Sequence, residues 1–118
     1  MHELSLARDI IETVNQNVPK EDISRVKSVV IKVGAFSGVV TDSLKFSFQA
    51  ITSDTELQGA ELDIIDIPFV LKCNDCRKET TTEIGMMLCS VCGSGNTKII
   101  SGGELQIVEV KIQEAEEV

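Results

Sequence analysis

Two cysteine pairs, Cys73-Asn74-Asp75-Cys76 and Cys89-Ser90-Val91-Cys92, lie in the second half of this 118-residue sequence and contain all of its cysteines. A two-residue gap lets both sulfurs of a pair reach one ion at about 2.3 Å, and two pairs complete a tetrahedron. Residues 69–101 contain both pairs, show little apolar periodicity and are too few to fold on a hydrophobic core of their own. The spacing therefore predicts that a metal ion holds this segment together.

The identity of the metal is decided by the composition around the sulfurs. Four thiolates suit zinc, and they also suit the iron of a rubredoxin-like site. Sites of the iron kind usually lie in aromatic shells, whereas this chain has four Phe and no Trp or Tyr. We therefore prefer zinc at Cys73, Cys76, Cys89 and Cys92. Such a site has no open coordination position, so we interpret it as structural, with a docking or redox-sensing role as the alternative.

Helical periodicity occurs twice in the first half of the chain. Apolar residues recur on one stripe over 4–18, and Pro19 ends the pattern. A second pattern predicts a helix over 43–53. The residues Thr41, Asp42 and Ser43 offer N-cap chemistry for this second helix. Two helices are therefore expected before the cysteine segment.

Strand patterns surround the cysteine segment. β-branched and alternating apolar residues predict strands over 26–34, 61–67 and 104–112. We predict an α+β fold: a three-stranded sheet packed by two helices, with a zinc-ribbon-like domain inserted between the second and third strands. The predicted domains are 1–68 plus 102–118, which form the α+β domain, and 69–101.

Charge and hydropathy exclude several classes of protein. The net charge is −8 and the pI is about 4.6, which with so few aromatic residues argues against nucleic acid as a partner. No apolar run has the length of a membrane span. The start Met1-His2-Glu3-Leu4-Ser5 lacks the pattern of a signal peptide. We expect the cytoplasm, where cysteines remain thiols or bind metal.

The only histidine in the chain, His2, stands next to the initiating methionine. An isolated histidine is most often an ordinary surface or core residue. At this position, however, the α-amine of Met1, the backbone nitrogen of His2 and its imidazole can form fused chelate rings on one ion. Nitrogen donors of this kind suit Ni²⁺ or Cu²⁺ in a tetragonal geometry. The fourth donor stays open between Glu3, a backbone nitrogen, water and Asp42.

These features together resemble the HypA/HybF family of hydrogenase nickel-incorporation proteins. The resemblance is carried by the start Met1-His2-Glu3-Leu4-Ser5, the loop Gly34-Ala35-Phe36-Ser37-Gly38-Val39-Val40, the two cysteine pairs and Ser101-Gly102-Gly103-Glu104-Leu105. These motifs extend along the whole chain in the family's order. The combination of an initiating Met-His-Glu with two cysteine pairs is far more specific than the pairs alone.

The resemblance implies a nickel metallochaperone for maturation of [NiFe]-hydrogenase, and not an enzyme. Nickel, the cargo, would be bound by Met1, His2 and Glu3, while the four cysteines hold a structural zinc. The implied partners are a nickel-handling maturation GTPase and the precursor of the hydrogenase large subunit, and some relatives also serve urease. A homodimer is left open, and no nucleic acid or membrane is implied.

Two positions depart from the family's pattern. Some relatives carry a histidine beside a zinc cysteine pair, whereas this chain has Asp75 before Cys76 and Gly93 after Cys92. Some relatives also place an acid near the start of the second helix, the region where this chain has Thr41 and Asp42. A nickel ligand from the zinc segment would therefore have to be something other than histidine.

Two other functions compete with metal delivery. A zinc-ribbon module that binds protein or nucleic acid would leave His2 without a role. The charge and the lack of aromatic residues count against its nucleic-acid form. A metal-dependent hydrolase lacks support, because the chain offers one histidine, no Ser/His/Asp set and no phosphate-binding loop.

Overall fold

The computed structural model of the protein describes residues 3–81 and 86–113. Its elements confirm the predicted α+β class: two α-helices, a three-stranded sheet and a second sheet of shorter strands whose central strand ends at Cys73. No helix of these residues combines the length and the apolar character needed to cross a membrane.

The first helix, α1, extends over Glu3–Asn17, one residue earlier than the periodicity predicts at each end. Its buried positions are Ala7, Ile10 and Val14, whereas Leu4, at the start of the predicted stripe, is 48% exposed. After α1 the chain forms a short 3₁₀ helix over Lys20–Arg25, which the sequence analysis missed. Short 3₁₀ turns carry little periodicity, so a pattern of apolar residues does not reveal them.

The strand β1 covers Val26–Gly34, with the predicted bounds. Val29, Ile31 and Val33, which share one face of the strand, are buried. Ser28 and Val30 on the opposite face are buried as well. The strand β1 is the central strand of its sheet, which has the order β2-β1-β6 with β2 at Glu61–Ile67 and β6 at Leu105–Ile112.

The second helix, α2, extends over Thr41–Thr52 and contacts α1. The predicted start at residue 43 was wrong by two residues. Val40 is the N-cap and makes no side-chain capping bond, so the predicted capping by Thr41, Asp42 or Ser43 does not occur. The helix instead buries Leu44 and Phe48, which are fully enclosed and provide the hydrophobic stabilisation that a cap would supplement.

A second sheet lies in the cysteine segment, where no strands were predicted. It consists of β3 (Val70–Cys73), β4 (Glu79–Thr81) and β5 (Thr97–Ser101) in the order β4-β3-β5. The central strand β3 pairs antiparallel with both neighbours. These strands of three to five residues are too short for an alternating pattern to stand out from the surrounding sequence.

Contacts divide the chain into two compact units. The described residues of the first unit are 3–31, 39–64 and 107–113, and those of the second are 32–38, 65–81 and 86–106. The predicted domains, 1–68 plus 102–118 and 69–101, stay a prediction. We call the second unit the cysteine unit.

The loop 34–38 is hydrogen-bonded to both ends of the cysteine segment within this unit. The Ala35 amide donates to the Ile67 carbonyl at 2.9 Å, and the Phe36 amide donates to the Gly102 carbonyl at 2.6 Å. Gly102 has a φ of 113°, and a Cβ added there would lie 2.7 Å from the Phe69 Cα. Glycine is therefore required at this position by both backbone conformation and space.

Candidate metal centre

The first cysteine pair lies in a tight turn over residues 73–78, which we call the first cysteine turn. The Cys73 amide donates to the Lys78 carbonyl at 3.0 Å and closes the turn. The Cys76 amide points at the Cys73 Sγ at 3.4 Å. Arg77, the residue after the pair, has a φ of 63°, a left-handed conformation that side chains other than glycine adopt at a cost.

The second cysteine pair repeats this geometry over residues 89–94, the second cysteine turn. The Cys89 amide donates to the Ser94 carbonyl at 2.9 Å, and the Cys92 amide points at the Cys89 Sγ at 3.5 Å. The residue after this pair is Gly93, with a φ of 76°. Two sequence-separated segments therefore form the same turn, with arginine in one and glycine in the other at the left-handed position.

The two turns bring the four predicted zinc ligands together. The Sγ atoms of Cys73, Cys76, Cys89 and Cys92 all lie within 4.8 Å of one another. The Cys73–Cys92 and Cys76–Cys89 sulfur pairs are 3.5 and 3.7 Å apart. In a tetrahedron with Zn–S bonds of about 2.3 Å the sulfurs are about 3.8 Å apart. The sulfur arrangement therefore fits a zinc ion with four thiolate ligands.

The first cysteine of each pair is stabilised as a thiolate by backbone amides. Amides of Cys92 and Val91 lower the pKa of Cys89 to about 6. The Cys76 amide is the main cause of the lowered pKa of Cys73. A thiolate is the form that binds metal, so these turns prepare one sulfur of each pair before an ion arrives.

The second cysteine of each pair behaves in the opposite way. The Ser94 amide lowers the pKa of Cys92, but desolvation and the three neighbouring thiols together outweigh it, and the pKa is raised to about 12. The Lys78 amide likewise lowers the pKa of Cys76, but desolvation and the neighbouring thiols leave it raised. Without a metal these two sulfurs keep their protons, because four negative charges cannot lie this close together.

Polar residues that the sequence analysis did not assign to the centre join the two turns. The Ser94 hydroxyl donates to Oδ2 of Asp75, and Nδ2 of Asn96 donates to its Oδ1 at 3.3 Å. These bonds, chiefly the one from Ser94, lower the pKa of the Asp75 carboxyl. Ser and Asn are common turn residues, so nothing in their local sequence indicates a role beside the metal ligands.

Lysines lie next to the centre on the sheet. In the antiparallel register, Lys72 on β3 is paired with Lys98 on β5 and with Glu79 on β4. Like charges on directly opposed residues destabilise a sheet. Four thiolates around Zn²⁺ leave a net charge of about −2. The positive charges of Lys72 and Lys98 would offset this negative charge when zinc is bound.

The predicted nickel ligands are described only in part. Met1 and His2 lie outside the described residues. Glu3 is the first residue of α1 and is half-buried, while Asp42 is exposed in the first turn of α2. Within residues 3–81 and 86–113, the four cysteines are the only group of three or more His, Cys, Asp or Glu side chains that could hold one ion.

The fold and the site together define a class: a small α+β protein that carries a four-sulfur metal centre in a separate compact unit. A sequence profile of the family described as "Hydrogenase/urease nickel incorporation, metallochaperone, hypA" matches residues 1–112. The hydrogenase maturation factor HypA of Desulfatibacillum aliphaticivorans is 38% identical over 118 residues, which cover 99% of this chain and 91% of that protein. The chain belongs to the HypA family.

Two solved structures share the fold. The Ni metallochaperone HypA from Helicobacter pylori is similar with a TM-score of 0.64 at 23% identity, over 98% of this chain and 100% of that chain. A second solution structure, of a HypA protein, has a TM-score of 0.67 at 24% identity, over 95% and 96% of the two chains. Both likenesses support the α+β architecture described above.

Proposed function

We propose that this chain captures Ni²⁺ at its N-terminus and delivers it for the maturation of [NiFe]-hydrogenase. The observation that carries the proposal is the family match over residues 1–112, because it includes both the start Met1-His2-Glu3 and the two cysteine pairs. The relative from Desulfatibacillum aliphaticivorans is named a hydrogenase maturation factor. The role is binding and transfer, and it requires no catalysis.

The nickel site consists of the Met1 α-amine, the His2 backbone nitrogen and imidazole, and Glu3. Nitrogen donors with a carboxylate suit Ni²⁺. The buried residues Ala7, Ile10 and Val14 fix α1 in the first unit, and this supports an ordered position for Glu3 at its first turn. A site at a chain end is open to a partner that takes the ion, which suits delivery better than storage.

The cysteine cluster holds Zn²⁺ in a structural role. Its support is the sulfur geometry, with all four Sγ atoms within 4.8 Å, and the composition of the ligand set. Four thiolates leave no open position for a water molecule or a substrate. When bound, zinc supplies a rigid cross-link between the two cysteine turns, and the turns' own amides orient the sulfurs.

The partners follow from the proposed cargo. Nickel would pass to a nickel-handling maturation GTPase and then to the precursor of the hydrogenase large subunit, in the cytoplasm. The family description also includes urease, so a urease maturation complex is a further recipient. No nucleic acid or membrane takes part.

Nickel titration of the wild-type chain and of His2→Ala tests this proposal, with zinc measured in both. We expect one nickel and one zinc per wild-type chain, and zinc alone in the variant. Glu3→Ala should weaken nickel binding, whereas Glu12→Ala, an exposed carboxylate further along α1, should leave it unchanged. Retention of nickel by His2→Ala at wild-type affinity would overturn the assignment.

A second test concerns the free amine. Addition of Gly-Ser ahead of Met1 converts the α-amine into a peptide nitrogen while it leaves every side chain in place. We expect this extension to abolish tight nickel binding and hydrogenase activation together. Normal activation by the extended chain would contradict an N-terminal site even if His2 proved important.

A further inference from the structure

The two cysteine turns are also connected through hydrogen bonds that do not involve the sulfurs. The Asn74 amide donates to the Asn96 carbonyl at 2.9 Å, and the side chains of the same two residues are hydrogen-bonded at 3.1 Å. The Asn96 amide also donates to the Ser94 hydroxyl at 3.1 Å. A hydrogen-bonded set therefore joins the first turn to the end of the second.

Asp75 is at the centre of this set. Its two carboxylate oxygens accept bonds from two different side chains, Oδ2 from the Ser94 hydroxyl and Oδ1 from the Asn96 amide group. Both donors come from the segment that ends the second turn. A hydrogen bond to a carboxylate is stronger than one between neutral groups, so the two bonds to Asp75 are the strongest side-chain contacts of this set.

The second cysteine turn has no carboxylate at the position that corresponds to Asp75. The positions that correspond to Asn74 and Asp75 are Ser90 and Val91, and Val91 is apolar and 55% exposed. Each turn is closed locally by its own backbone bond, from Cys73 to Lys78 and from Cys89 to Ser94. Local bonds cannot hold one turn against the other. The connection through Asp75 is therefore one-sided, and one substitution can remove it.

We propose that Asp75 is a positioning residue of the metal centre: its carboxylate links the second cysteine turn to the first and slows the release of the ion held between them. This inference rests on the proposed zinc site. Release of the ion requires the two sulfur pairs to separate, and separation also breaks the bonds from Ser94 and Asn96. Partners that orient ligands from outside commonly change metal affinity about 10- to 100-fold when they are lost.

The test follows zinc transfer from the full-length, zinc-loaded chain to an excess of the chromophoric chelator 4-(2-pyridylazo)resorcinol. We expect Asp75→Asn, which keeps the shape of the side chain, to release zinc about 10- to 100-fold faster than wild type. Ser94→Ala should also accelerate release, and Ser94→Thr, which restores the hydroxyl, should return the rate to that of wild type. The double variant Asp75→Ala/Ser94→Ala should match Asp75→Ala alone, because Asp75→Ala already removes the acceptor of the Ser94 bond.

The matched control is Glu79→Gln, which removes one negative charge from an exposed position on β4. It should release zinc at the wild-type rate, which separates the bonds from simple electrostatics. Co²⁺-loaded samples of all variants should keep the absorption of a tetrahedral thiolate site, since no ligand is lost. Wild-type release rates for both Asp75→Asn and Ser94→Ala would overturn the inference. A wild-type chain without cobalt–thiolate absorption would instead overturn the proposed zinc site.

Discussion

The two units of this protein are stabilised in different ways. The first unit buries large apolar side chains from both helices and from the sheet, among them Val14, Ile31, Leu44 and Phe48. The cysteine unit buries few large apolar side chains, chiefly Phe69 and Leu71, in addition to the sulfurs of Cys73 and Cys89. It leaves four apolar residues exposed: Met86, Met87, Leu88 and Val91. A unit that buries so little apolar surface needs a cross-link to stay folded.

The two units should therefore respond differently to the loss of a single stabilising contact. In the first unit the stabilising contacts are spread over many side chains, so a single loss is costly but local. In the cysteine unit four sulfurs lie within 4.8 Å of one another, so the loss of the one zinc ion proposed to cross-link them would affect the whole unit at once.

The largest effect should follow removal of zinc with excess chelator. A structural zinc contributes on the order of 10 kcal/mol to a small domain, so we expect amide protection over β3 and β5 to disappear while α1 and α2 keep theirs. Hydrogen exchange read by mass spectrometry measures this, and zinc addition should restore protection. Loss of protection in α1 and α2 to the same extent would show that the two units do not differ in this way.

A large side-chain truncation in the first unit should lower the free energy of unfolding without loss of zinc. Phe48 is fully buried, and Phe48→Ala should cost about 3–5 kcal/mol of unfolding free energy through lost burial and the cavity left behind. Phe46, two residues away on α2, is 73% exposed, and Phe46→Ala should cost less than about 0.5 kcal/mol. Urea unfolding followed by circular dichroism measures both. Zinc content should stay unchanged in each variant.

Adjacent glycines provide a matched pair at the end of the cysteine segment. Gly102→Ala should cost about 3 kcal/mol, since it combines a φ of 113° with a Cβ placed 2.7 Å from the Phe69 Cα. Gly103→Ala meets no atom within 4 Å and should be nearly neutral. Equal stability of the two variants in urea would contradict the close approach of Gly102 to Phe69.

Zinc affinity should depend steeply on pH. The pKa of Cys92 is raised to about 12 and that of Cys76 is also raised, so the metal-free chain keeps both protons at neutral pH. Zinc must displace both protons, so its affinity should rise about a hundredfold per pH unit between pH 7 and 9. Below about pH 6 the Cys89 thiolate also gains a proton, and the dependence should become steeper. Calorimetry in buffers of different ionisation enthalpy counts the protons released.

The smallest effect on stability should come from the residue with left-handed backbone conformation in each cysteine turn. Arg77→Gly relieves a left-handed conformation and should raise the unfolding free energy of the zinc-loaded chain by about 0.5–1 kcal/mol. Gly93→Ala places a side chain in the equivalent conformation and should lower it by about 1 kcal/mol. Thermal unfolding of zinc-loaded samples compares them, and a shift of the same sign in both would show that the turns are not equivalent.

The helices and the strands of the larger sheet could be predicted because their information is local. The strands over 26–34 and 61–67 have the predicted bounds, and the helices begin and end within two residues of theirs. Extended runs of β-branched residues and apolar residues at helical spacing are strong signals. The start of α2 was misplaced because its capping residues suggested a cap, whereas burial of Leu44 and Phe48 stabilises the helix without one.

The cysteine unit could be predicted only in part. The C-x-x-C spacing indicated which sulfurs converge, and all four do so in the structure. Its three short strands were missed because three to five residues carry no clear period. Ser94 and Asn96 were missed because their partner, Asp75, lies about twenty positions away in the chain. Pairings at such separations leave no trace in a local pattern.

The sequence by itself determined the α+β class, the main helices and strands and the set of four sulfurs, because periodicity and ligand spacing act between residues that are close in the chain. Only the tertiary structure decided that both faces of β1 are buried, that Gly102 must be glycine and that Asp75 joins the two cysteine turns. Each of these depends on atoms brought together from distant segments, and their proximity is a property of the folded chain.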